Sequence, residues 1–408
     1  MAKPYKIKRH KRIYRRSAGS IVLRVLVIVI SIALLFGIGW TLFVPVSNWI
    51  SNRQNQTDEA PMDSSENQNI SEDSNASAEA VPGESSSSQT PVSQSALTKK
   101  TAVLPAKAAA DPELLAAALE KAKAAGYDSV MLELKDITGA VNYPIVINGI
   151  NNVGLLSEST FDLNSTVAQI KAAGLTPVAS LYTFRDNRYP SINKDAATIY
   201  EGGEFLWVDN DPNKGGKPWL NPFSPQAQDY IRKIVDDACN AGFQMIVLDG
   251  VQFPEGYSLD KIDYGPHAGD DKNAFLKDYA ANMVQYAAQK GVELTTRLAA
   301  PSMLGVPSPM YFGGADTIAQ SGAVVDITPS LFKDGIQNEQ ITIISPVIDL
   351  YNTMKTVTSA ISQKLNQTEL LCYINASGVE SSDLEACIRG AADSNISRCI
   401  INDPAIYA

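Results

Sequence analysis

Residues 224–249 read SPQAQDYIRKIVDDACNAGFQMIVLD, and this stretch decides the fold. Ser224 suits a helix N-cap, and Pro225 suits the first turn, where no backbone donor is missed. An amphipathic helix should follow and stop near Gly242. The next run, Met245-Ile246-Val247-Leu248, is wholly apolar and ends in Asp249. A helix feeding a strand that is apolar on both faces is half of a βαβ unit, in which the strands lie parallel.

The alternation continues outward in both directions. Strands are expected at 101–104, 129–134 and 176–181 before the 244–248 strand, and at 292–298, 323–328, 369–374 and 398–401 after it. Helices are expected over 111–125, 161–173, 224–242, 272–290, 316–320, 350–365 and 382–392. Eight such units over 101–408 imply a (β/α)8 TIM barrel. A doubly wound open sheet is the competing α/β arrangement. No G-x-G-x-x-G follows the first strand and no Walker A motif occurs, which argues against nucleotide-binding folds.

Ahead of the barrel the composition changes twice. Residues 1–50 hold no acid, and residues 1–24 carry nine Lys and Arg. Residues 25–44 are uncharged and rich in Val, Ile and Leu. Twenty such residues, at about 1.5 Å each, match the roughly 30 Å hydrocarbon core of a bilayer. A transmembrane helix with its basic flank in the cytoplasm is therefore expected. The stretch is too long for a cleaved signal peptide and lacks an A-x-A site. Basic residues beside a membrane helix are explained by orientation and anionic-lipid contact, with no need for nucleic acid. Residues 45–100 follow as a Ser-, Asn- and Glu-rich linker, expected to be disordered. The barrel would then lie outside the cell, on a tether averaging about 40 Å.

Charge and cysteine content narrow the partners. Removing the nine bases of the tail from the 34 in the chain leaves 25 against 44 acids, a net −19 for residues 51–408. Such a surface does not hold a polyanion by charge alone. Cys239, Cys372, Cys387 and Cys399 form no C-x-x-C pair, and the chain has only two His, so no zinc site is expected. Buried thiols are the simplest reading, with a Cys387–Cys399 bridge left open. No calcium loop is present, and no cofactor is implied.

In a (β/α)8 barrel the active site gathers at the C-terminal strand ends. Those ends offer Lys135 and Asp136, then Tyr182 and Arg185, then Asp249, Gln252, Phe253 and Glu255, then Arg297. Asp249 is the sharpest candidate, because an acid closes an apolar strand. By alternation Met245, Val247 and Asp249 share one face. Asp249, Glu255 and Asp136 are candidate catalytic acids. Glu133 on the second strand is read as a partner for Lys135. Tyr182, Trp219 and Phe253 are aromatic residues in expected top loops, where sugar rings could stack. Each could equally be a loop-packing residue. Arg297 beside Asp249 would lower that carboxyl's pKa, which suits a nucleophile.

The motifs Pro218-Trp219-Leu220-Asn221-Pro222-Phe223-Ser224, Ala241-Gly242-Phe243 and Asp249-Gly250-Val251-Gln252-Phe253-Pro254 carry a resemblance. They resemble a bacterial family of glycoside-hydrolase-type proteins, long counted as a domain of unknown function. Its members share W-x-(N/D)-P-(Y/F)-S and D-Y-V-R-F-P segments. Leu132-Glu133-Leu134-Lys135-Asp136 resembles the family's I-D-V-K-D strand. The resemblance implies a barrel related to the α-amylase-like enzymes, acting on a polysaccharide. Three positions depart from the pattern: Gly250 replaces Tyr, Gln252 replaces Arg, and Arg297 replaces a carboxylate. Glycoside hydrolysis needs two carboxyl groups, and the second is not evident from sequence. The expected function is a membrane-anchored extracellular glycoside hydrolase acting on a cell-envelope or extracellular polysaccharide. The alternative is a catalytically silent barrel that binds cell-wall glycan.

Overall fold

The structure is a computed structural model that describes residues 99–407, except 149, 339–340, 345–347 and 367–368. The tail 1–24, the expected membrane span 25–44 and the linker up to residue 98 lie outside the described residues. Among the described residues, no helix is long and apolar enough to cross a membrane.

Eight parallel strands close into a barrel in chain order. They are β1 (Lys99–Leu104), β2 (Ser129–Lys135), β3 (Thr176–Tyr182), β4 (Met245–Asp249), β5 (Glu293–Ala299), β6 (Ala323–Asp326), β7 (Leu370–Asn375) and β8 (Arg398–Asn402). β1 pairs with both β2 and β8, so the sheet has no edge and the open-sheet alternative falls. β1 begins at Lys99, inside the segment expected as linker.

Around the barrel lie α1 (Pro112–Ala124), α2 (Leu163–Ala172), α3 (Pro225–Ala241), α4 (Lys272–Ala288), α5 (Leu350–Leu365) and α6 (Ser381–Ala392). Short polar side chains start several of them. Asp111, Asp162, Ser224, Asp271 and Asp349 each accept a backbone N–H of their own first turn. Gly242 ends α3 at φ +90°, where a Cβ would be strained. The helix expected over 316–320 is instead a 3-10 run, Ala315–Ser321. Thr317 Oγ1 donates to the Gly314 carbonyl at 2.8 Å and to Asn273 Oδ1 at 2.9 Å. These local bonds compete with regular helix formation.

Two apolar layers result. The larger lies between strands and helices and includes Leu132, Leu134, Leu181, Ile246 and Leu248. The smaller fills the barrel and consists of Met131, Val178, Met245, Val247, Val324, Leu371, Tyr373 and Ile400. Met245 and Val247 therefore point inward, as alternation from the apolar run requires.

One irregularity controls the site. Along β2 and β3, Glu133 pairs with Ser180 but Lys135 pairs with Leu181, so Leu134 is an extra residue in a bulge. A bulge reverses the parity of the residues after it. Glu133 stays on the inner face with Met131. Lys135 moves to the outer face with Leu181.

The segment after β3 carries structure of its own. It contains a short helix at Tyr189–Ile192 and a strand Ile199–Tyr200, paired antiparallel with Ile262–Asp263. Trp207, Trp219 and Ile262 give this insert its own small core.

Candidate functional site at the barrel mouth

Inward side chains of a (β/α)8 barrel form layers of four, drawn from alternate strands. Strand register, advanced by roughly one residue per strand for the tilt, identifies each layer. Glu133 pairs through Ser180 with Val247, which places Asp249 level with Glu133. The same step carries Asp249 to Asp326 and Asp326 to Asn402. The uppermost layer of the even strands is therefore Glu133, Asp249, Asp326 and Asn402. Below it the fill turns apolar, with Met131, Val247, Val324 and Ile400.

Arg297 on β5 ties this layer together. Its Nε lies 2.5 Å from Asp249 Oδ1. Its guanidinium carbon sits 4.1 Å from the centre of the Tyr373 ring, a cation–π distance. Its Nη2 reaches Tyr182 Oη at 3.5 Å. Asp326 accepts from the Thr328 backbone N–H at 3.0 Å and also feels the charge of Arg297. Asp249 is buried and Glu133 is half-buried. Among the described residues, the Glu133 carboxylate has no hydrogen-bond partner.

Burial dominates the protonation of both acids. It pushes the Glu133 carboxyl up to about 7, helped by the negative charges of Asp249 and Asp136 and opposed by Arg297 and Lys135. It pushes the Asp249 carboxyl up to about 6, against the pull of Arg297. Sequence reasoning expected Arg297 to lower Asp249. The cation does pull that way, but desolvation of a buried carboxylate outweighs it.

Other candidates sit elsewhere. Lys135 is fully buried behind the wall, with its Nζ 3.0 Å from Asp186 Oδ2 and 2.8 Å from the Tyr182 carbonyl. It touches no open space, so its expected role in substrate binding is corrected. Asp136 uses Oδ1 to accept from Thr138 N, Thr138 Oγ1 and Ala140 N, at 2.8, 2.7 and 2.9 Å. It caps its own loop. Glu255 pairs with Arg185 at 3.1 Å, and the Arg185 guanidinium lies 5.3 Å from the Trp219 ring centre. Trp219 and Phe253 are both fully buried. Trp219 donates its indole N–H to Asp209 at 3.1 Å. Phe253 packs edge-on to Tyr264, Phe275 and Phe312. Neither ring is open to a sugar, so the stacking role is corrected for both. Gln252 is buried, and Tyr182 is half-buried beside Arg297.

Gly250, where the resembling family has Tyr, adopts φ +61°. A Cβ there would come 3.2 Å from the Tyr182 ring. The chain turns sharply after Asp249, and Thr183 N donates to the Asp249 carbonyl at 2.7 Å. This turn fixes the backbone of the central acid against β3.

Glu133 and Asp326 are the residues that sequence reasoning passed over. Glu133 carried a usable signal, because it stands two places after the inward Met131 in an otherwise apolar strand. Among the described residues, no group of three His, Cys, Asp or Glu side chains is placed to hold a metal ion.

A family model described as "Putative glycosyl hydrolase domain" matches residues 102–376. The chain belongs to that glycosyl hydrolase family. The match spans β1 to the end of β7 and includes Glu133, Asp249, Arg297 and Asp326. No curated protein matches the chain in sequence. Three solved structures are similar in shape. A hypothetical protein from Ruminiclostridium thermocellum ATCC 27405 is 20% identical, with 48% of this chain and 95% of that one covered, at a TM-score of 0.41. Aspergillus fumigatus Ega3 in complex with galactosamine is 14% identical, with 76% and 93% covered, at 0.40. The catalytic domain of β-amylase from Paenibacillus polymyxa is 10% identical, with 74% and 91% covered, at 0.47. At these scores the likeness adds nothing to the barrel that the strand order of this family member defines.

Proposed function

We propose that this barrel hydrolyses glycosidic bonds, with Glu133 as general acid and Asp249 as nucleophile or general base. The observation that carries the reading is the shared layer of these two carboxyls at the mouth. Strands two apart are separated by roughly 9–10 Å at the backbone. Side chains leaning toward the axis shorten that gap into the roughly 5–9.5 Å range used by glycosidases. Near neutral pH Glu133 retains a proton to give, while Asp249 is mostly ionised beside Arg297. Unequal protonation of two neighbouring acids is the division of labour that this reaction requires.

Charge bears on the substrate. Each cation expected at the strand ends already has an acidic partner: Lys135 with Asp186, Arg185 with Glu255, and Arg297 with Asp249. None of these three cations is left spare for a uronate or phosphate. An uncharged or amino-bearing glycan is the substrate class that fits. The basic tail and apolar stretch before residue 45 support an exterior, membrane-tethered domain acting on envelope or extracellular polysaccharide.

The competing reading, a silent glycan-binding barrel, is favoured by one observation. The contact between Arg297 and Asp249 occupies one oxygen of the central acid. Incubating the full chain with neutral, amino and uronic polysaccharides, and measuring new reducing ends, separates the two. Release that disappears in Asp249→Asn supports hydrolysis. Equal binding without release in both proteins supports the silent barrel. Release from uronic polymers alone would overturn the substrate class.

The two acids also fix a pH profile. Activity should rise as Asp249 ionises through about 6. It should fall as Glu133 loses its proton through about 7. A narrow bell in kcat/KM between these limbs is the expected result, its apparent values belonging to the coupled pair. A flat profile from pH 5 to 8 would contradict the assignment.

A further inference from the structure

Cys372 and Cys399 stand directly opposite each other on β7 and β8. Both are buried in the layer that faces the helices, and neither takes part in the mouth chemistry. Adjacent strands are about 4.8 Å apart, within the roughly 4.4–6.8 Å between Cα atoms that a disulfide spans. The two sulfurs lie 2.6 Å apart, within reach of the roughly 2.05 Å bond by a small side-chain rotation. Cys387 on α6 is buried in the same layer, and Cys239 on α3 is only half-buried.

We infer that Cys372 and Cys399 are joined by a disulfide in the mature protein, linking the final barrel strand to its neighbour. In the reaction each thiol loses a proton. One electron pair passes to an external disulfide, which is reduced to two thiols, while a single S–S bond forms in the barrel. Oxidised glutathione or a disulfide-bearing oxidoreductase is the class of oxidant required. Burial pushes the Cys399 thiol well up, so this side chain exposes little thiolate once folded. The bond therefore forms while β8 is docking, before the layer closes. β8 is the last strand, and its pairing with β1 closes the barrel. A covalent link there holds Asn402 and Tyr373 in place at the mouth. An oxidising exterior supplies the electron acceptor in the cell. The geometric case does not depend on that location.

The test is refolding of the full chain in a glutathione redox buffer, followed by unfolding, alkylation of free thiols, proteolysis and mass spectrometry. The expected product is one linked pair of peptides carrying Cys372 and Cys399, with Cys239 and Cys387 alkylated. Cys387→Ala should leave that link intact, and Cys372→Ser should abolish it. Reducing the link should lower the thermal midpoint of the wild type by several degrees and leave that of Cys372→Ser unchanged. Four alkylated cysteines, or a link through Cys387, would overturn the inference.

Discussion

Glu133→Gln is expected to lower kcat/KM on a polysaccharide by about 10²–10⁴-fold, the usual range for loss of a general acid, with KM nearly unchanged. Gln keeps the size of the side chain but cannot supply a proton to the departing sugar oxygen. Among the described residues the carboxyl makes no hydrogen bond, and it is half-buried, so its removal strands none of them. The thermal midpoint should therefore hold while activity falls. A substrate whose leaving group departs without protonation should recover much of the loss. The falling limb of the pH profile should vanish as well. Full activity in the Gln variant would remove Glu133 from the mechanism and shift attention to Asp326, the other acid in the same layer.

Lys135→Met is expected to be the most destabilising single change near the site, by about 3–5 kcal/mol. Lys135 and Asp186 are both fully buried and 3.0 Å apart. Burial drives the amine down and the carboxyl up, while their contact pulls against both shifts. Removing the amine alone strands a carboxylate in the interior. It also frees the carbonyls of Tyr182 and Thr183 that the amine holds at 2.8 and 3.3 Å. Asp186 in turn accepts the N–H groups of Arg188 and Tyr189, each at 2.8 Å. Gly139 packs so close that a Cβ would lie 2.1 Å from Asp186 Oδ1. The pair thus joins the loop after β2 to the loop after β3. Thermal unfolding should show a fall of roughly 6–15 °C for Lys135→Met. Adding Asp186→Asn should recover part of it, because Asn keeps an oxygen for the two N–H groups and removes the unpaired charge. If the double variant were no better than the single one, packing rather than charge would be the cause.

The barrel was legible because its signals are local. Each strand is a short apolar run, and most helices open on Asp or Ser and close near Gly. Asp249 was legible for the same reason, because it directly follows the expected strand 244–248. Glu133 was discounted because an acid two residues from a lysine on a strand reads as its partner on the same face. The bulge at Leu134 breaks that rule, and it arises from pairing between strands that period-two counting does not register. Asp326 was hidden by a boundary, since the sixth strand was expected to run to Thr328 and it stops two residues earlier. For Trp219 and Phe253 the sequence leaves a sugar platform and loop packing both open, because each falls in a loop. Trp219 instead fills the small core of the insert after β3, and Phe253 joins the main core beside Tyr264, Phe275 and Phe312.

The single surplus residue in β2 reaches beyond this chain. Because of it, the acid and the lysine of one short motif serve opposite sides of the wall, one toward the bowl and one toward the scaffold. An alignment of relatives anchored on the lysine would shift the acid whenever a homologue lacks the bulge. Counting upward from the barrel floor, through Met131, is the more dependable way to find the equivalent acid in a distant cousin.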